Sequence, residues 1–493
     1  MMKLNRTSLE TLKNKMAKAT HSNQLVFPSY PSQVDQAEKI WLHVGLGNFH
    51  RAHQALCMQR MLDADPNLPW RIIGTSLRRS DTPLLNKMRV QDNLYTLIEL
   101  SGTSDPKCEI IASHQTVFSS CDDIEKFIKI VADDKCKLIT FTVTEGGYYI
   151  IESEEKLMLS HRDIVNDLIV DNPPLTIYGF LRIGLKARFE AGGAPLTLLS
   201  CDNVIGNGNI LRMGLMMFLR EVGEDAAFIE WIERSVSFPN SMVDRITPAF
   251  NPEYVTYLKT TYDYEDEVPV HAETFWQWVI EDNFKAERPP FEKGRAEIVS
   301  DVKDFEELKL RVLNAGHSSL AYRGLLLGYQ TYDQVIANLE HRKFFDTYQF
   351  TEVLPKLQHL KALNPEKYLA TVTKRFTNTQ ISDTLTRIGC DGMAKVPKFV
   401  LPTLVANLKT GGPINYAVEI IVNWASVTRL FLAGKFPDYH DGEEQQLRSL
   451  INKYGFQRGL LFNPSLWGND VISHPRYLEQ VAYSLRHGIT DQK

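Results

Sequence analysis

The stretch 308–320, "LKLRVLNAGHSSL", sets Lys309, Asn314 and His317 among leucines. A lysine can take a proton from a hydroxyl, an amide N–H can hold the oxyanion left behind, and an imidazole can orient a ligand. At about 100° per residue of a regular helix, Asn314 falls roughly 140° and His317 roughly 80° around from Lys309. All three then project over one side and can converge on one small ligand. Burying such groups unpaired costs a few kcal/mol each, so a ligand or solvent must satisfy them, and a solvated polar face is the plain alternative. A lysine serves as general base only when its pKa falls from about 10.4 toward the working pH, which desolvation and neighbouring cations bring about. That scheme needs a hydride acceptor and no metal.

A second group lies near the start of the chain. In "IWLHVGLGNFHRAHQ", Gly45 and Gly47 follow a buried-strand pattern and precede a stretch that can continue as a helix. Glycines there allow a tight turn and close backbone approach to a pyrophosphate. His50 stands where the third glycine of the dinucleotide fingerprint would be. Asp81 follows the next strand pattern, "RIIGTSL", where an acid can accept from ribose hydroxyls and favours NAD. Arg78 and Arg79 beside it can pair with a 2′-phosphate, so use of NADP stays open, as does a solvated charged loop. His50 and His53 have a spacing that could share a helix face, but no third ligand stands nearby, and no metal is expected.

These groups need elements to hold them. Strand-length apolar runs at 39–45, 70–77, 137–145 and 195–203 alternate with helical patterns such as "FLRIGLKARFEAGG", which implies an α/β fold with a mostly parallel sheet. From about residue 300 helical periodicity takes over, as in "FVLPTLVANLKTGG", "EEQQLRSLINKYG" and "RYLEQVAYSLRHG". The polar, Pro- and Gly-containing stretch 285–301 reads as the connection. The expected domains are therefore 1–298, a Rossmann-type dinucleotide-binding domain, and 299–493, an α-helical substrate and catalytic domain.

With 493 residues and 43% hydrophobic content, the chain can bury more than one core, and its net charge of −5 lacks the basic blocks of a nucleic-acid footprint. The six cysteines form no CxxC pair, which suits reduced thiols in a cytoplasm. Neither a secretion signal nor a membrane span is expected, and the first residues read as a surface helix.

Taken together, "GLGNFHRAHQ", "TVTEGGYY", "LSCDN", "SFPNSMVDRITP", "QWVIEDNF" and Lys309-x4-Asn314-x2-His317 resemble the polyol-specific long-chain dehydrogenases, the mannitol dehydrogenase family, from about residue 40 into the C-terminal region. The resemblance implies a Rossmann-type domain, a helical C-terminal domain and a metal-free site in the cleft between them. It assigns Lys309 as general base, Asn203 and Asn314 as the amides that bind the reacting oxygen, and His317 as the residue orienting the substrate. Asp244, Arg387 and Lys395 match substrate-binding positions, and Glu145 and Glu306 match carboxylates on a proton path to the base. From the residues alone, Asp244 could equally pair with an arginine, the two cations could be solvated, and Glu306 could serve a helix dipole. Cofactor contacts are expected at Gly45, Gly47, Asn48, Phe49 and Asp81. Two departures stand out: Ser80 precedes Asp81 where strictly NAD-dependent members carry a second acid, and "GCDGMAK" lacks the serine of the better-matched loops.

The implied activity is NAD-dependent interconversion of D-mannitol and D-fructose by hydride transfer, on a small sugar or polyol, with neither nucleic acid nor membrane as partner and compatible with a monomer. The alternatives are a fructuronate reductase of the same family, in which Arg387 and Lys395 would hold a carboxylate, and a non-catalytic NAD-binding protein, which would have no use for Lys309 and two amides. Lysine rather than arginine at 395 favours the neutral polyol.

Overall fold

A computed structural model of the chain describes residues 2–18, 25–29, 38–151 and 155–489. The chain divides into two compact units, Met1–Lys303 and Asp304–Lys493.

The first unit is built on six parallel strands: β1 (Lys39–Val44), β2 (Trp70–Ser76), β3 (His114–Ser119), β4 (Cys136–Phe141), β5 (Leu196–Ser200) and β6 (Val236–Ser237). Their order across the sheet is 3-2-1-4-5-6, the doubly wound arrangement of dinucleotide-binding domains, which reverses direction between β1 and β4. β1, β2, β4 and β5 read as largely apolar runs because both faces of the sheet are covered. Ile139 of β4 and Leu198 of β5 share one core with Phe180 and Leu181 of helix Ile177–Glu190. A three-stranded sheet adds β7 (Ser241–Asp244), β8 (Gln277–Glu281) and β9 (Glu297–Val299), and a four-stranded mixed sheet is built around Tyr95–Leu100 and Lys107–Ile111. The periodicity missed β3 and β6, the one half-polar and the other two residues long.

The stretch 285–301 is not a free connection. Phe291 is fully buried, edge-on to Trp41 at 5.5 Å and to Trp278 at 5.2 Å, and β9 pairs with β8. Polar and Pro-rich composition marks where backbone leaves regular structure, and here that backbone still packs on a core. The expected N-terminal helix is present as Arg6–Ala17, capped by Asn5 and Ser8 and docked through Leu9 and Leu12, while residues 19–24 lie outside the described range.

The second unit is helical. The chain enters it through helix Lys303–Leu308, whose first residue ends the first unit, then a π-helix Lys309–Asn314, then α-helix Ala315–Leu326. Asn415–Leu432 is a long buried helix of this unit, and Leu401–Thr410, Glu444–Tyr454 and Pro475–His487 fall where the periodicity placed helices. No described helix is long and apolar enough to cross a membrane.

Candidate active site

At the carboxyl ends of β1, β2 and β4 the first unit opens a cleft lined by Gly45, Gly47, Ser76, Arg78, Asp81, Thr142, Thr144 and Tyr149 among others. Gly45 has φ +104°, and a Cβ there would sit 2.1 Å from the Thr142 carbonyl oxygen, so only glycine fits. At Gly47 a Cβ would meet nothing within 4 Å, and its absence keeps backbone open toward the cleft. Asp81 lies in the turn Arg79–Asp81 just after β2, and its carboxylate accepts from Ser76 Oγ. The two arginines part company. Arg78 lines the cleft with Asp81, whereas Arg79 points to Asp122 at 3.8 Å.

Asn48 and Phe49 do not line this cleft with the glycines. Asn48 spends its side chain on the Pro248 carbonyl, to which it donates, and on Arg51, from which it accepts. The Phe49 ring stacks on His53 at 4.8 Å. His50 and His53 do not share a helix face either, because the helix breaks at His53 (φ −120°, ψ −80°) between Asn48–Ala52 and Gln54–Ala64. His50 approaches His114, and His53 the Gln277 carbonyl.

Three further predicted residues of this unit are joined by two that the motifs left unassigned. Asp202, buried, accepts from Val143 N at 3.1 Å, Thr144 N at 2.9 Å and the Tyr148 hydroxyl at 2.7 Å. Thr144 has φ 68°, ψ 164°, a region nearly reserved for glycine, at a cost of about 1–3 kcal/mol that the surroundings must offset. The Asp202 grip holds it there, directly before Glu145. The next residue after Asp202 is Asn203, exposed at the end of β5. Asn207 donates to the carbonyls of Asp202 (3.0 Å) and Ser241 (2.8 Å) and accepts from Ser241 N, tying β5 to β7, which ends at Asp244. Burial raises the Asp202 carboxyl from 3.8 to about 6, against those donors. An Asp directly before a predicted site residue at a strand end was the available signal.

In the second unit Lys309 opens the π-helix and Asn314 closes it, and both are buried. The regular-helix geometry needs correcting here. In a π-helix the hydrogen bond runs from i to i+5, so residues five apart lie roughly one turn apart on the same face. Lys309 and Asn314 are five apart, and the wide turn removes most of the roughly 140° offset of an α-helix. Glu306, also buried, precedes Lys309 by three positions. The His317 ring stacks on Phe376 at 4.4 Å and meets Tyr332 at 5.6 Å. Tyr332 N donates to the carbonyl of Asp383, whose carboxylate holds Arg387 through two hydrogen bonds, one of 2.6 Å to Nε. Lys395 lies 3.8 Å from Asp391. Thus both cations already face an aspartate. Tyr332 and Phe376 have no motif of their own and would read as core aromatics.

Comparison with known proteins matches the mannitol dehydrogenase Rossmann domain over residues 39–293 and the mannitol dehydrogenase C-terminal domain over 301–485. Mannitol dehydrogenase 2 of Saccharomyces cerevisiae is 34% identical over 488 residues, spanning 98% of this chain and 96% of the relative. Mannitol 2-dehydrogenase of Emericella nidulans is 33% identical over 492 residues, with 98% and 96% covered. The structure of Pseudomonas fluorescens mannitol 2-dehydrogenase, a ternary complex with NAD and D-mannitol, superposes with TM-score 0.86 at 31% identity over 99% of this chain and 98% of that one. A D-sorbitol dehydrogenase in substrate-free form gives TM-score 0.82 at 28% identity, with 99% of both chains covered. With both family domains matched in order and relatives spanning nearly the whole length, the chain belongs to the mannitol dehydrogenase family.

Proposed function

We propose that this protein is an NAD-dependent oxidoreductase that interconverts D-mannitol and D-fructose at the sugar's second carbon without a metal. The observation that carries the reading is the buried Lys309–Asn314 pair on one π-turn, a base and an amide on one helix face in a chain of this family. The cleft fits a dinucleotide: Gly45 and Gly47 leave backbone bare where a pyrophosphate would lie, and Asp81 lines the same cleft to receive ribose hydroxyls. When bound, the cofactor would supply the hydride acceptor for oxidation as NAD+ and the hydride donor for reduction as NADH.

The chain's own groups handle the proton and the oxygen. Lys309 Nζ takes the hydroxyl proton, and the side-chain amides of Asn314 and Asn203 donate to the oxygen as it gains charge. His317, steadied by Phe376, orients the polyol, and Asp244 accepts from a remote hydroxyl. Glu306 and Glu145 pass the proton onward from Lys309. A neutral polyol is favoured over a sugar acid because Arg387 and Lys395 each already face a carboxylate, Asp383 and Asp391. A carboxylate substrate would have to displace those partners.

The test follows NADH absorbance with D-fructose, D-fructuronate and D-tagaturonate in reduction, and with D-mannitol and D-arabinitol in oxidation, then repeats with Lys309→Ala. D-fructose and D-mannitol are expected as the best pair, with oxidation rising as pH rises. General-base catalysis is worth about 10²–10⁴-fold, so Lys309→Ala should lower kcat by about 10³-fold. Undiminished turnover in that variant would remove the assigned base, and faster reduction of D-fructuronate would give the site to a sugar acid.

A further inference from the structure

His50, in the position of the fingerprint's third glycine, is fully buried, and its ring lies flat on that of His43 from β1, with centroids 3.4 Å apart and planes 11° apart. The third glycine ordinarily lets the helix approach the strand. Here two flat rings in face contact occupy that space.

The direction of the hydrogen bonds around His43 follows from donors of fixed sense. Trp41 Nε1 can only donate, and does so to Thr140 Oγ1 at 2.6 Å. The single proton of the Thr140 hydroxyl can then go to His43 Nδ1, 2.7 Å away. With Nδ1 accepting, a neutral ring carries its proton on Nε2, which faces the Gly45 carbonyl at 3.1 Å and Thr142 Oγ1 at 3.0 Å. Thr142 in turn donates to the Gly45 carbonyl at 2.6 Å, and Gly47 N does so at 2.8 Å. Three donors therefore converge on the carbonyl of Gly45, whose φ of +104° only glycine adopts without strain. Burial keeps these rings neutral, with His43 and His114 lowered to about 3 and His50 well below 6.5, so the donor pattern persists across ordinary pH. On its other side His50 Nε2 lies 3.0 Å from His114 Nε2 of β3, joining the helix to a second strand.

We infer that His43, Thr142 and the stacked His50 form a positioning assembly that fixes the Gly45 turn and so sets affinity for the dinucleotide. The residue at the third fingerprint position works here by adding a ring, where glycine works by its absence. This rests on the NAD reading proposed above and is independent of which polyol is oxidised.

The experiment is a fluorescence titration with NADH of wild type, Thr142→Val, His43→Phe and His50→Gly, with thermal unfolding run alongside. Thr142→Val keeps shape and loses one donor to Gly45, and His43→Phe keeps the flat ring and loses the other. Each is expected to raise the Kd for NADH about five- to tenfold, with the KM for NAD following and kcat at saturating NAD falling less than threefold. His50→Gly restores the usual glycine, yet should weaken binding at least threefold because His43 loses its support. A folded Thr142→Val that binds like wild type, or a His50→Gly that binds as well or better, would overturn the inference. Wild type that binds NADH but oxidises no polyol would sink the substrate reading and leave this one standing. Wild type that binds no NADH would sink both.

Discussion

The Gly45 turn and the Lys309 turn solve opposite problems. At Gly45, in the cofactor site proposed above, the working atoms would be backbone: two glycines supply bare surface, and side chains hold a carbonyl in place. At Lys309, the base proposed above, the working atoms would be side chains, and the backbone widens a turn so that Lys309 and Asn314 share a face. At Gly45 an added Cβ meets the Thr142 carbonyl, whereas at Lys309 the loss of a side chain is what would cost function.

Two substitutions break that comparison in opposite directions, and they carry the largest expected effects. Gly45→Ala drives a Cβ into the Thr142 carbonyl, so NADH binding should weaken by about 10²-fold or more and the unfolding temperature should fall by several degrees. Lys309→Ala should bind NADH within about twofold of wild type while losing about 10³-fold in kcat. Titration and steady-state rates on both variants decide the matter. If Lys309→Ala lost cofactor affinity as severely as Gly45→Ala, the division of labour between the two turns would be wrong.

A smaller effect should come from Asp202, which sits between the two kinds of site because its side chain holds backbone and its main chain carries Asn203. Asp202→Asn turns an NH₂ group toward converging N–H and O–H donors, leaving one of them unpaired at a cost of about 1–3 kcal/mol. Thr144 then relaxes from its strained conformation and takes Glu145 with it. We expect kcat to fall about tenfold, with a smaller rise in the KM for NAD because Thr144 also lines the cleft. A kcat within twofold of wild type would reduce Asp202 to a core residue.

Much of this was legible in the residues, for reasons that differ between the two turns. The parallel sheet announced itself because strands covered on both faces are apolar throughout, and the glycine turn because strand, GxG and helix follow one another. The support for that turn was hidden: His43 is far in the chain from Thr140 and Thr142 and meets them only because β1 and β4 are neighbours. Lys309, Asn314 and His317 were visible as polar residues in an apolar helix. Their true register was not, since no propensity marks a π-turn in "KLRVLN" and its wide hydrogen bonds are chosen by packing. The stretch 285–301 misled because composition reports backbone irregularity and says nothing of Phe291 beneath it.

The smallest expected effect comes from charge buried differently in the two units. In the first, burial holds His43, His53 and His114 down at about 3 and His50 well below 6.5. A depressed imidazole leaves the unfolded chain binding more protons below pH 6.5. Its contribution is thus complete above that pH and drains away as pH falls toward 3. In the second unit Glu352 is fully buried, accepts from Tyr416 N and Ala417 N, and is raised by burial from 4.5 to about 7. Its contribution has the opposite sense, complete below pH 4.5 and lost as pH rises through about 7. Mild acid should therefore weaken the first unit while this carboxyl strengthens the second. Between pH 6.5 and 5.5 each imidazole accounts for about 1 kcal/mol, since a full unit of proton binding is worth about 1.4 kcal/mol. His114→Gln should accordingly recover about 1 kcal/mol of the stability that wild type loses over that interval, read from urea unfolding at both pH values. Glu352→Gln should instead deepen the loss. Equal losses in wild type and His114→Gln would mean that the imidazoles take up protons without opening the fold, and the contrast between the units would not extend to their charge.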